Sequence, residues 1–173
     1  MKKKLNISAL YFLFLMGLIV SSCTISYSFV NASIDYDKVK SISIKDFPNM
    51  SPLVYAPLSQ QFSEALKDKY IRQTKLQVVR DRGDLDLEGE ISGYNFQSMA
   101  VKDGEFAAQT RLTITVRVRY INNTDSEKDF ERTFSAYSEF SNESTIDLVQ
   151  DQLCEVIIKE IIDQIFNETV ANW

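Results

Sequence analysis

The one side chain in this 173-residue sequence with a legible chemical fate is the thiol of Cys23. It directly follows Val20-Ser21-Ser22, and before that come Lys2, Lys3, Lys4 and an apolar run over residues 9–20. A basic start, a short apolar segment and small residues at the cut make an export signal. The run falls well short of the ~20 residues that span a bilayer. Val20-Ser21-Ser22-Cys23 has the form of a bacterial lipobox, in which the cysteine thiol is acylated and becomes the new N-terminus. Residues 1–22 therefore read as a lipoprotein signal peptide, 23–38 as a lipidated tether, and 39–173 as a single domain. Acyl chains contribute ~0.8 kcal/mol per buried CH₂, so two or three hold the protein firmly to a membrane.

Little else in the chain could do chemistry. With Cys23 committed to lipid, Cys154 is left alone in an apolar helical pattern, and no intramolecular disulfide can form. It reads as a small buried hydrophobe rather than a nucleophile. Histidine is absent, which removes Ser-His-Asp and Cys-His catalysis and the usual zinc sites together. Asp and Glu could still act as an acid–base pair, but they lie on regular solvated faces with no Gly-rich loop or clustered constellation beside them. The signal holds three of the 19 basic residues and none of the 24 acidic ones, so the mature chain carries 16 against 24, a net charge of −8. An acidic domain is a poor partner for nucleic acid, whose binding rests on neutralised phosphates. No cofactor or metal is implied.

The elements that carry these residues follow from periodicity. Lys40-Ser41-Ile42-Ser43-Ile44-Lys45 alternates as a short strand closed by Phe47-Pro48-Asn49. Pro57 suits a first helical turn, and Leu58, Phe62, Ala65, Leu66 and Tyr70 recur at helical spacing, which predicts a helix over 57–73. Residues 76–80 make a brief strand, turned by Asp81-Arg82-Gly83-Asp84. Next, Leu85, Leu87, Gly89, Ile91 and Gly93 face one way and Asp86, Glu88, Glu90 and Ser92 the other. After the turn-like Lys102-Asp103-Gly104, Leu112, Ile114, Val116, Val118 and Tyr120 form a dry face, opposed by Arg111, Thr113, Thr115, Arg117 and Arg119. Asn122-Asn123-Thr124-Asp125 turns the chain again, and Phe130, Phe134, Ala136 and Phe140 keep the apolar parity. This is an antiparallel meander with one dry and one wet face. Arg132 falls on the dry parity, which a bulge or an edge position would excuse. Ser144-Thr145-Ile146-Asp147 has a capping-box-like pattern opening a last helix that runs to about residue 170. Its stripe of Ile146, Val149, Leu153, Val156, Ile157, Ile161 and Ile165 drifts sideways through Ile158, Ile162 and Phe166, so either the helix wraps over the first one, which is the favoured reading, or its far end shows apolar surface to another protein.

The lipobox, Tyr27-Ser28-Phe29, Ala32-Ser33-Ile34 and Phe47-Pro48-Asn49 together resemble the divergent branch of the LptE family of lipopolysaccharide-assembly lipoproteins. The likeness continues through Leu58-Ser59-Gln60-Gln61-Phe62, Glu64-Ala65-Leu66-Lys67-Asp68, Leu85-Asp86-Leu87-Glu88-Gly89-Glu90-Ile91 and Arg111-Leu112-Thr113-Ile114-Thr115-Val116. It ends with Asp129-Phe130-Glu131 and the long acidic-apolar helix. The resemblance implies an α+β fold, a two-layer α/β sandwich with two helices packed on one face of a mostly antiparallel four- to five-stranded sheet. The element order argues for the same layers. It further implies a lipid-anchored protein of the outer membrane, facing the periplasm, that partners and plugs the LptD β-barrel and is not an enzyme. Thr24, rather than aspartate, after the lipidated cysteine agrees with outer-membrane sorting under the enteric rule.

The family is also credited with binding lipopolysaccharide through basic residues of the sheet and its loops, for which Arg111, Arg117 and Arg119 on the wet face and Lys102 in the loop are the candidates here. Ordinary ion pairing competes for the same side chains. A tight hairpin centred on Lys102-Asp103 would set Arg117 opposite Glu88 and Arg119 opposite Asp86, with Glu131 on the far side of Arg119. Cross-strand pairs of this kind contribute roughly 0.2–1 kcal/mol each. Arg111 has no partner in that register and is the better candidate for phosphate. The alternative function is a generic envelope adaptor or a pilot lipoprotein for another outer-membrane complex.

Overall fold

The computed structural model describes residues 34–53, 55–99 and 108–171. Cys23, Lys102, the signal and most of the tether lie outside them. Alternation and helical spacing produce the expected elements: β1 (Ser41–Ile44), α1 (Leu58–Gln73), β2 (Gln77–Val79), β3 (Leu85–Met99), β4 (Gln109–Asn122), β5 (Phe130–Ser141) and α2 (Ile146–Phe166). A π-helical turn over Asn167–Ala171 continues α2. The sheet order is β2-β1-β3-β4-β5. The helical crossover through α1 makes β1 parallel to β2, and β1 is parallel to β3 as well. Two reversals of the chain make β3, β4 and β5 an antiparallel meander. The result is the α+β sandwich read from the sequence, with a five-stranded mixed sheet.

One extra residue decides how the sheet fits. Ile91 pairs with Val116, but Gly93 pairs with Thr115, so Ser92 is a bulge that two-to-one pairing leaves over. Parity flips beyond it. Gly93, expected on the dry face, instead turns to the wet face against Thr115, and Tyr94 takes the buried position opposite Ile114. The dry face then comprises Leu85, Leu87, Ile91, Tyr94, Leu112, Ile114, Val116, Val118 and Tyr120, all buried.

Both helices seal that face, and they run parallel. Tyr55, just before α1, donates to Asp151 early in α2. At the other end Lys69 reaches Asp163 at 2.7 Å, and the hydroxyls of Tyr70 and Thr169 meet. The sideways drift of the α2 stripe does what was expected of it, burying Ile158 and Ile162 beside α1 while the Phe166 ring meets Tyr70 edge-on at 5.3 Å. Val156 departs from the expectation. It is 51% exposed, because 100° per residue carries it off the flank of Ile157 that meets the sheet. The capping-box reading fails too, since Thr145 occupies the N-cap with no side-chain bond to the helix. Pro57 takes the N-cap of α1. Arg132 is excused by the edge: β5 is an outer strand, and the guanidinium bonds Glu168 and lies 5.2 Å over the Phe130 ring.

A buried hydroxyl joins the layers. Ser63 on α1 accepts from the Phe47 N–H at 2.9 Å and donates to the Ser59 carbonyl at 2.8 Å, while Ser59 donates to the Phe47 carbonyl at 2.7 Å. Phe47 is thereby held with its ring over Gly89.

Candidate functional site

With both helices on one side, no described helix covers the other face of the meander. Period two places Arg111, Thr113, Thr115, Arg117 and Arg119 of β4 on it, and the register chooses their partners. Arg117 bonds Glu90 at 3.3 Å and Arg119 bonds Glu88 at 3.2 Å. Each partner lies two residues further along β3 than a hairpin centred on Lys102-Asp103 would give. Met99 pairs with Gln109, which centres the hairpin on residue 104 and moves each partner three residues forward, and the bulge at Ser92 takes one of them back. Glu131 does stand across from Arg119 in β5, as expected.

Arg111 corrects the reading furthest. Rather than being unpartnered, it donates from Nη2 and Nε to Glu139 Oε1, at 2.6 and 3.0 Å, and its guanidinium lies 4.0 Å over the Tyr137 ring. Both partners come from β5, and neither had been assigned to it from sequence. The usable signal was the Tyr137-Ser138-Glu139 alternation, which puts an aromatic and a carboxylate on the same face.

Around the middle of this face is a shallow depression of about 440 Å³, bordered by Lys45, Glu88, Glu90, Arg117, Arg119 and Glu131. Asp46 completes its rim, so four carboxylates outnumber three cations. The cations are thus mutually neutralised, and the depression is not an open electropositive pocket. Arg117 and Arg119 keep over half of their side chains in solvent. At the rim, Lys45 bonds Asp81, which raises its pKa, and Lys67 bonds Asp46 at 2.6 Å.

The segment after β1 and the turn after β4 sit at different places along the sheet. The segment after Phe47 runs along the middle of β3, with Met50 N–H donating to the Ile91 carbonyl at 2.9 Å, well short of the strand's end at Met99. The turn at Asn122 lies at the opposite end, where Asn123 donates to the carbonyls of Asp84 and Gly83. That end is clamped by Asp84, whose Oδ2 accepts from the N–H groups of Lys40 and Ser41 at 2.8 and 3.0 Å and from the Ser41 hydroxyl. The Lys40 bond foremost lowers the Asp84 pKa, against the opposing effect of burial.

Nothing in the described residues assembles a reactive centre. Burial pushes the Cys154 thiol up to about 11, which keeps it protonated at neutral pH. Among the described residues there is no group of three possible metal ligands, and no helix long and apolar enough to cross a membrane.

The chain matches the family model of LptE, lipopolysaccharide-assembly, over residues 39–169. Its fold is similar to that of protein XCC0632 from Xanthomonas campestris, at 16% identity over 78% of this chain and 85% of that one, with a TM-score of 0.54. It is also similar to a minor lipoprotein from Acinetobacter baumannii, at 16% identity over 75% and 91% of the two chains, with a TM-score of 0.50. At such identities these two likenesses are of fold alone. No curated protein matches the chain.

Proposed function

Because the chain belongs to the LptE family of lipopolysaccharide-assembly proteins, we propose that it is a non-enzymatic outer-membrane lipoprotein, anchored through Cys23, that partners and plugs an LptD-like β-barrel. It faces the periplasm and serves the transport and insertion of lipopolysaccharide at that membrane. The observation that supports this most directly is the face of the meander that no described helix covers. It is built from strands of 15 and 14 residues, about 50 Å long, and carries rows of paired charges and threonines. Barrel lumens are polar, so a plug should present a hydrophilic, ion-paired surface rather than an apolar patch. The β3–β4 connection then meets the lumen wall at one end.

Contact with lipid A phosphates is proposed for Arg117 and Arg119, which can exchange their carboxylates for phosphate, with Lys102 in the adjoining loop. Arg111, already held by Glu139 and Tyr137, is the weaker member of the set. Depletion of the protein is the test. It should lower the amount of correctly assembled barrel and open the outer membrane to apolar antibiotics, and the purified pair should migrate as a one-to-one complex. Normal barrel assembly and lipopolysaccharide export in a clean deletion would overturn the proposal in favour of a generic envelope adaptor.

A further inference from the structure

The two arginines of the depression are held differently from Arg111. Arg111 makes two bonds to Glu139 and stacks on Tyr137. Arg117 and Arg119 make one bond each to a carboxylate, at 3.3 and 3.2 Å. Strong charge-assisted bonds run at about 2.7–2.9 Å, so both pairs are loose. The two stand at successive same-face positions of β4, about 7 Å apart.

Their surroundings are unequal. Arg117 lies between Glu90 of β3 and Thr133 of β5, whereas Arg119 lies between Glu88 and Glu131. Glu90 and Glu88 take the two bonds. The Glu131 carboxylate makes no hydrogen bond or ion pair among the described residues. No cation at the rim is left for it, since Lys45 bonds Asp81 and Lys67 bonds Asp46. Two guanidinium groups thus face three carboxylates, one negative charge in excess. An exposed glutamate needs no partner, because water solvates it. Its place beside Arg119 still makes it repel any anion that comes there.

We propose that Glu88, Glu90 and Glu131 hold this arginine pair in reserve, so that an anionic phosphate headgroup binds by displacing carboxylates and leaves as they return. The inference rests on the reading that Arg117 and Arg119 meet lipid phosphates, and it gives Glu131 the part of limiting how tightly. To free the guanidinium groups, Glu88 and Glu90 must turn into water, where 44% and 35% of their side chains already lie. Glu131 has no bond to give up and stays. One unit charge at about 7 Å weakens an anion's binding about threefold in water, and more beside protein. The site is therefore weak and reversible, as handing a lipid onward requires. Arginines without these neighbours would keep the phosphate.

Titrating the full lipidated chain with phosphatidic acid in uncharged detergent tests it, with binding read by calorimetry. Glu131→Gln removes the excess charge and breaks no ion pair. It should tighten binding by about threefold or more and leave the melting temperature within about 2 °C of the parent. Glu88→Gln with Glu90→Gln should tighten it by about tenfold or more. Arg117→Ala with Arg119→Ala should abolish it. Inorganic phosphate is the second probe and should compete with the lipid, since the two share the recognised group. Phosphate binding more tightly than the lipid would assign the site to the free ion and overturn the headgroup. If the arginine variant loses binding but the glutamine variants bind no tighter than the parent, the phosphate reading stands and the reserve falls. If neither parent nor any variant binds, or the arginine variant binds like the parent, the phosphate reading fails and this inference with it. A Glu131→Gln protein that melts earlier and binds less would make Glu131 a support for Arg119 and overturn the proposal.

Discussion

Replacing Arg111 with alanine separates a structural guanidinium from one held for a ligand. Its bonds to Glu139 at 2.6 and 3.0 Å join side chains that are 28% and 34% exposed, so the pair is partly screened and contributes about 0.5–1 kcal/mol. The guanidinium at 4.0 Å over the Tyr137 ring adds about 0.5–1 kcal/mol. Arg111→Ala should therefore cost about 1–2 kcal/mol, which lowers the melting temperature by about 3–8 °C for a domain of this size. Urea unfolding should show a shifted midpoint with an unchanged slope. A double-mutant cycle with Glu139→Ala should return a coupling of about 0.5–1 kcal/mol. At 1 M salt the ion-pair part should shrink while the stacking part persists. If Arg111→Ala stays within about 0.3 kcal/mol of the parent and lowers lipopolysaccharide binding instead, the pairing argument is wrong and the side chain is poised for phosphate.

Gly89→Ala should destabilise by about 1–3 kcal/mol, because its methyl would meet the Arg117 carbonyl and come within 2.5 Å of Phe47 Cε1. A melt within a degree of the parent would show that the strand and ring can part freely. Asp84→Asn should cost about 1 kcal/mol at pH 7, from weaker bonds to Lys40 and Ser41. The folded-state pKa of Asp84 is depressed, so its contribution is complete above the ordinary carboxylate value and vanishes as pH falls through the folded one. The gap between variant and parent should accordingly close below about pH 4, and a gap constant from pH 7 to 3 would contradict that.

Faces were readable in the sequence and neighbours were not. Along β4 a strict alternation separates Leu112, Ile114, Val116, Val118 and Tyr120 from the arginines, because one side of an antiparallel sheet is dry. Alternation carries no information on which carboxylate stands across from Arg117. That depends on loop length and on Ser92, neither of which changes composition. Val156 was misplaced for a related reason. An apolar residue near the edge of a helical stripe can lie on either side of the boundary, and only the neighbouring strand's position decides. Ser63 escaped notice as a polar residue inside a helix, although it joins two layers.

The Ser92 bulge also behaves as a frameshift written into one strand. Upstream of it, even-numbered residues of β3 face water; downstream, even-numbered residues face the helices. Removing that single residue would turn Tyr94 and Phe96 outward and bring Gly93 and Asn95 into the core, while leaving every amino acid otherwise unchanged. Length variation in this strand is therefore tolerable in pairs and ruinous singly.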